Sequence, residues 1–202
     1  MTDKRKFPRD LAARVLADIM PEFQPACERV IIAGSFRRLK EEVGDLEIVF
    51  IPKRGSIPHR TELFGTEQVD FAALKIEFML DCGKLVKRVN AKGGFTYGEK
   101  NKLMVHAATG LPVDFFSTCE ANWHNYLVCR TGPAELNVMI CEAAIREGGR
   151  WNPYGPGFTR KDGSLVPVRS EKEVFDFTGL PYAEPERREA LVASLNDRRP
   201  PF

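Results

Sequence analysis

Gly34-Ser-Phe-Arg-Arg-Leu-Lys-Glu-Glu-Val-Gly-Asp45-Leu-Glu47 is the stretch on which the reading of this chain turns. Before it comes Arg29-Val-Ile-Ile-Ala33, an apolar, β-branched run that reads as a buried strand. After it comes Leu46-Glu-Ile-Val-Phe-Ile51, a second strand, ended by Pro52. A strand that runs into Gly-Ser and a helical turn presents backbone N–H groups and a hydroxyl at a helix N-terminus, which suits an anion. Gly34 lets a phosphate come close to the backbone, and Ser35 supplies the hydroxyl. Arg38, within one turn, adds a charge-assisted hydrogen bond. Asp45 and Glu47 stand two apart at the start of a strand, so both carboxylates point to one face. Such neighbours repel unless a cation lies between them, and Mg²⁺ is a hard ion that prefers oxygen ligands.

Outward from this segment, Leu11 to Met20 reads as a helix stopped by Pro21. Ile57 to Thr66 has no apolar period and reads as a loop. Val69 to Leu80 reads as a helix, although Val69-Asp-Phe and Ile76-Glu-Phe also suit strands. Strands are expected over Leu85–Val89, Leu103–Ala107 and Leu111–Ser117, with Thr109-Gly110 as the turn between the last two. Helices return over Asn122–Cys129 and Ala134–Glu147, the second ended by Gly148-Gly149. From Trp151 the glycines and prolines imply short strands and turns. Helices then follow over Ser170–Phe177, opened by the capping-box pattern Ser170-Glu-Lys-Glu173, and over Pro185–Leu195. The expected fold class is α+β: a mixed sheet with flanking helices over 1–130, then a small α/β subdomain over 131–202.

The chain has 202 residues, 43% hydrophobic and 29% charged, with 30 Lys+Arg against 28 Asp+Glu. That composition excludes a disordered, collagen-like or disulfide-scaffold chain. With no apolar run of membrane-spanning length and no signal-type N-terminus, a cytoplasmic protein is expected, with no membrane partner. Cys27, Cys82, Cys119, Cys129 and Cys141 form no CxxC pair, and His59, His106 and His124 have no zinc-site spacing. Charge is uneven along the chain. Between Gly83 and Lys102 the basic residues are Lys84, Lys87, Arg88, Lys92, Lys100 and Lys102, against the single acid Glu99. Such a stripe suits a polyanion, or a solvated face.

Asp114 lies in the run Leu111-Pro-Val-Asp-Phe-Phe-Ser117, where a lone buried carboxylate costs several kcal/mol unless it is paired or metal-bound. Asp45, Glu47 and Asp114 on adjacent strands would hold two metal ions roughly 3.5–4 Å apart. Gly34-Ser-Phe-Arg-Arg…Gly44-Asp-Leu-Glu47 closely resembles the GS-x-RR…GD-x-D signature of the family X DNA polymerases. Val113-Asp114-Phe115 is similar to their third-carboxylate strand, and Thr131-Gly132…Asn137 to their nucleotide-binding turn and helix. Asn152-x-Tyr154, Ser170–Asp176 and Gly179–Arg187 resemble their nucleotide-side subdomain, and Tyr97–Lys100 a segment they place near the primer.

The resemblance implies a nucleotidyltransferase palm and a thumb- or fingers-like C-terminal subdomain. It implies transfer of deoxynucleotides to a primer 3′-hydroxyl with two Mg²⁺ or Mn²⁺ ions, at gaps or ends. Asp45, Glu47 and Asp114 would be metal ligands, with Asp114 nearest the hydroxyl. Gly34, Ser35, Arg38 and Gly44 would hold phosphates, and Thr131, Gly132 and Asn137 the sugar and base edge. Lys100 and Lys102 would follow the primer backbone. A DNA primer-template or end, a nucleoside triphosphate and a monomeric state are the partners expected. Glu47 stands where the family has a second Asp. Cys129-Arg130 replaces an aromatic pair that rejects ribonucleotides, and Cys141 and Glu142 occupy positions near a template-reading arginine. An N-terminal lyase segment is not expected, since the palm begins near the start of the sequence. Two alternatives stand beside this reading: a template-independent or small-acceptor transferase, and a catalytically decayed nucleic-acid-binding module.

Overall fold

A computed structural model describes residues 5–59, 65–90 and 92–197. In chain order the first elements are β1 (Phe7–Pro8), α1 (Arg9–Phe23), β2 (Cys27–Ile32), α2 (Gly34–Arg37), β3 (Glu42–Val43) and β4 (Leu46–Pro52). There follow β5 (Arg54–Pro58), β6 (Thr66–Asp70), α3 (Phe71–Asp81), β7 (Leu85–Lys87), β8 (Asn101–His106) and β9 (Pro112–Ser117). The remainder is α4 (Trp123–Thr131), α5 (Ala134–Arg146), β10 (Gly149–Trp151), β11 (Gly157–Arg160), β12 (Leu165–Pro167), α6 (Glu171–Thr178) and α7 (Arg188–Asp197). The fold is α+β. No helix among the described residues is long and apolar enough to cross a membrane.

These elements form two compact units. One runs to Ile32 and resumes over Val43–Thr118; the other comprises Ala33–Glu42 and the chain from Cys119 onward. The division therefore falls after Thr118 rather than at the expected Arg130. The reason is packing: α4 buries Trp123, Tyr126, Leu127 and Val128, and Val128 joins Leu136, Ile140 and Phe175 in the second unit's core.

The first unit is built on a five-stranded sheet in the order β2-β4-β9-β8-β7. β4 runs parallel to β9, and the other neighbours are antiparallel. Leu46, Ile48, Val49, Phe50 and Ile51 are all buried, as a central strand covered on both faces requires. Pro21 does not stop α1, which continues to Phe23. Phe23 is fully buried, with ring centroids 5.1 Å from Phe50 and 5.0 Å from Phe115, both edge-on. Burial of that ring outweighs one lost backbone hydrogen bond near a helix end.

The stretch read as a loop is flanked by a hairpin instead. β5 pairs antiparallel with β6 from Arg54↔Asp70 to Pro58↔Thr66; residues 60–64 of that stretch lie outside the described residues. Asp70, the last residue of β6, caps α3 by accepting from the Ala73 N–H at 2.8 Å. The turn at Thr109-Gly110 is where it was expected, with both N–H groups donating to the His106 carbonyl.

In the second unit β10-β11-β12 is an antiparallel sheet packed with α5 and α6. Ser170 caps α6 through Glu173 N–H, but the Glu173 carboxylate reaches back to Arg169 N–H, one residue before the capping-box position. Asn125 is fully buried and its amide is used at both ends. It accepts from Trp151 Nε1 at 2.6 Å and donates to the Asn152 and Gly155 carbonyls. That satisfaction is what makes a buried amide tolerable.

Candidate functional site

The three carboxylates belong to the first unit. Asp45 immediately precedes β4, and Glu47 is its second residue. The register of β4 with β9 pairs Glu47 directly with Asp114. Residues opposite one another on parallel strands project to the same face, and Asp45, two before Glu47, shares it. Asp114 is 5% exposed. Its burial has a counter-charge in the chain itself: Arg88 Nη2 donates to both carboxylate oxygens, at 2.7 and 2.6 Å.

Three oxygen-donor side chains on adjoining strands suit a hard divalent cation. The backbone frame thus fits a metal pair, whereas the side chains as placed do not converge. Among the described residues no group of three or more His, Cys, Asp or Glu is gathered closely enough to hold an ion.

The basic stretch is partly neutralised within the same unit. Lys84 binds Glu22 at 2.7 Å and Asp18 at 3.3 Å, and Arg88 is on Asp114. Asp18 also faces His106 Nε2 at 3.1 Å, and that hydrogen bond, with Lys84 adding to it, holds its carboxyl below the usual carboxylate range. Lys102 is buried and donates to the Gly98 carbonyl, while Lys100 is exposed. The Tyr97 ring lies beneath two ammonium groups, Lys87 at 4.3 Å and Lys102 at 5.3 Å from its centroid.

The expected phosphate segment lies in the second unit, apart from Gly44, which is a buried residue of the first. Gly34 opens α2 with φ 61°, a conformation that favours glycine. Ser35 follows it within the same short helix. α2 closes in a Schellman arrangement: Lys40 N–H reaches the Ser35 carbonyl and Leu39 N–H the Phe36 carbonyl. The left-handed position of that motif is held by Leu39, at φ 60° and 59% exposed. A left-handed L-residue costs roughly 1–2 kcal/mol, and glycine removes that at the expense of unfolded-state entropy. Leu39→Gly is therefore expected to stabilise the chain by about 0.5–1 kcal/mol, read from the denaturation midpoint. Unchanged or lower stability would show that the Leu39 side chain is held by more than its backbone.

Arg37 and Arg38 are locked into a network of ion pairs. Arg37 forks onto Glu171 at 2.6 and 3.0 Å and donates to Thr131 Oγ1 at 2.8 Å. Arg38 donates to the Thr131 carbonyl and to Glu189, which also accepts from Lys40 at 2.6 Å. Glu171 takes a second guanidinium, Arg188 Nη2 at 2.7 Å. Arg188 is fully buried, and its Nη1 has no hydrogen-bond partner. Burial opposes ionisation of Glu171, but the hydrogen bonds and charges of Arg37 and Arg188 prevail and hold its carboxyl below the usual range. The hydrogen bond from Lys40 does the same for Glu189, with Arg38 adding to it.

Thr131 is fully buried, so its hydroxyl faces Arg37 rather than an open pocket. Gly132 has φ 64° and ψ −152°, where a side chain is strained, and is followed by a cis bond to Pro133. Asn137 Nδ2 donates to the Cys129 carbonyl at 2.8 Å, and its buried Oδ1 accepts from no group. Arg130 lies over the rings of Tyr126 and Tyr154, 5.3 and 5.4 Å from their centroids.

α4 from Tyr126, α5, the small sheet, α6 and the start of α7 form one continuous assembly. Residues 126–189 match the family model of the DNA polymerase beta thumb. The match covers about a third of the chain and supports a relationship to the family X polymerases. Among curated proteins none matches the chain. The thumb segment contains Thr131, Gly132, Asn137, Glu171, Arg188 and Glu189. Sequence reasoning missed Arg88, Glu171, Arg188 and Glu189. Glu171 and Glu189 read as surface acids of helix first turns, and only the long-range packing shows what they hold.

Proposed function

We propose that this chain is a family-X-like nucleotidyltransferase that adds deoxynucleotides to a primer 3′-hydroxyl by two-metal in-line displacement. The observation that carries the reading is the direct register of Glu47 with Asp114 on neighbouring parallel strands. The thumb match downstream supplies its context and is the basis for a DNA partner.

In this reading Asp45, Glu47 and Asp114 would hold the ions, Mg²⁺ or Mn²⁺. With them bound, the site would gain an activated 3′-hydroxyl and a neutralised pyrophosphate leaving group. Asp114, the carboxylate on β9, would face the primer hydroxyl and favour loss of its proton. Gly34 and Ser35 would present backbone N–H groups and a hydroxyl to the β- and γ-phosphates, and Gly44 would leave room beside them. Arg38 would add charge by exchanging Glu189 for phosphate oxygen, a trade between two charge-assisted hydrogen bonds. Thr131 would act as the joint that holds Arg37 and Arg38, with Gly132 and Asn137 offering backbone and amide groups to the nucleotide. Lys100, exposed, would meet the primer backbone.

The test is extension of a primer by each single deoxynucleotide, on a gapped template and on a single strand. Addition of the complementary nucleotide alone, dependent on Mg²⁺ or Mn²⁺ and absent in chelator, is expected. Addition that ignores the template base would establish the template-independent reading instead. DNA binding without addition, across metals and acceptors, would leave only a binding module.

A further inference from the structure

Arg88, Leu103, Asp114 and Glu47 form one row across the sheet. The Arg88 N–H donates to the Leu103 carbonyl at 3.0 Å, Leu103 is the register partner of Asp114, and Asp114 is the register partner of Glu47. Anchored just beyond β7, the Arg88 side chain passes over β8 and places one nitrogen on both oxygens of Asp114, at 2.7 and 2.6 Å. Both lie out of bulk water, with side-chain exposures of 23% for Arg88 and 7% for Asp114. Of the other cations in its stretch, Lys84 is committed to Glu22 and Asp18, and Lys102 to Gly98.

We propose that Arg88 is an internal counter-cation that holds Asp114 in the metal-free protein and yields that carboxylate when a divalent ion binds. The inference rests on the reading of Asp114 as a metal ligand. It follows from competition for the same atoms. Both oxygens of Asp114 face one guanidinium nitrogen, so an ion entering at Asp114 meets occupied lone pairs and a fixed positive charge. A buried carboxylate needs such a partner while no metal is present. The partner also limits how tightly metal can bind, because each ion bound costs one ion pair broken. Release is feasible because Arg88, unlike Asp114, keeps a partial route to water. The arrangement makes Asp114 the carboxylate whose availability is regulated. Asp45 and Glu47 are the ones through which a first ion would enter.

The experiment is titration with Mn²⁺ alone, free ion followed by electron paramagnetic resonance, on the full chain without nucleotide or DNA. Arg88→Met keeps the aliphatic reach and removes the charge. It is expected to bind Mn²⁺ about tenfold tighter than wild type, the scale of one charge-assisted hydrogen bond. The gain should vanish when Asp114→Asn is added. Equal or weaker binding by Arg88→Met overturns the proposal and leaves the metal site standing. A gain that survives Asp114→Asn also overturns it, since Arg88 would then act through its charge at a distance. Failure of both wild type and Arg88→Met to bind Mn²⁺ removes the proposal and the metal-site reading together. Should Arg88→Met not fold, Arg88→Gln, which can still hydrogen-bond Asp114, is expected to shift affinity in the same direction by less. An unshifted affinity in Arg88→Gln would likewise overturn the proposal.

Discussion

Asp114→Asn is expected to lower single-turnover nucleotide addition by about a hundredfold or more while leaving the fold intact. A metal ligand at the reacting centre contributes several kcal/mol, and each 1.36 kcal/mol is tenfold in rate. The substitution is nearly isosteric, and an Asn oxygen still accepts from Arg88, so the 5%-exposed position does not collapse. Rates should be compared at saturating primer and nucleotide, so that binding differences do not enter. Melting temperatures of the two proteins should agree within a few degrees. A variant that retains a tenth of the wild-type rate would remove Asp114 from the chemistry and leave its role as the partner of Arg88.

The second large effect concerns the joint on which Arg37 and Arg38 are held. Glu171→Ala leaves Arg188, fully buried, and Arg37 facing a void where their shared carboxylate stood. Breaking a buried ion pair from one side costs about 3–5 kcal/mol, because a charge is left without compensation. For a chain of this length that corresponds to a fall in melting temperature of about 10 °C. Glu171→Gln, which keeps shape and one acceptor, should lose less. The pH dependence has a definite sign. The folded-state pKa of Glu171 lies below its ordinary value, so its contribution is present above the unfolded carboxylate pKa of about 4.3. The contribution is lost as pH falls through the folded value. The stability gap between wild type and Glu171→Ala should thus be constant near neutral pH and narrow only below about pH 4. A variant melting within 2 °C of wild type, or a gap that widens in acid, would show that the network does not stabilise the fold.

How much of this was visible beforehand depended on the range of the interaction. β2, β4 and β9 announce themselves as local apolar runs, and α5 as a period of Leu136, Met139, Ile140, Ala143 and Ala144, all buried. Asp45, Glu47 and Asp114 could be grouped from strand periodicity, and the register of β4 with β9 places Glu47 opposite Asp114. The hairpin of β5 and β6 was missed because Arg54–Pro58 and Thr66–Asp70 are short, mostly polar and lie outside the main sheet. Pro21 misled because local propensity ends a helix there, whereas the burial of Phe23 carries it on. The basic stripe overstated its free charge, since sequence shows cations and not the Glu22, Asp18 and Asp114 that meet them. Arg88 and Arg188 were beyond local reasoning altogether: their partners lie 26 and 17 residues away.

The central claim is best tested by a crystal structure of the chain with primer-template, a non-reacting nucleotide analogue and Mg²⁺. The account predicts ions at about 2.0–2.1 Å from oxygens of Asp45, Glu47 and Asp114, with Arg88 withdrawn from Asp114. Mg²⁺ carried by the analogue's phosphates alone, with Arg88 still seated on Asp114, would contradict it.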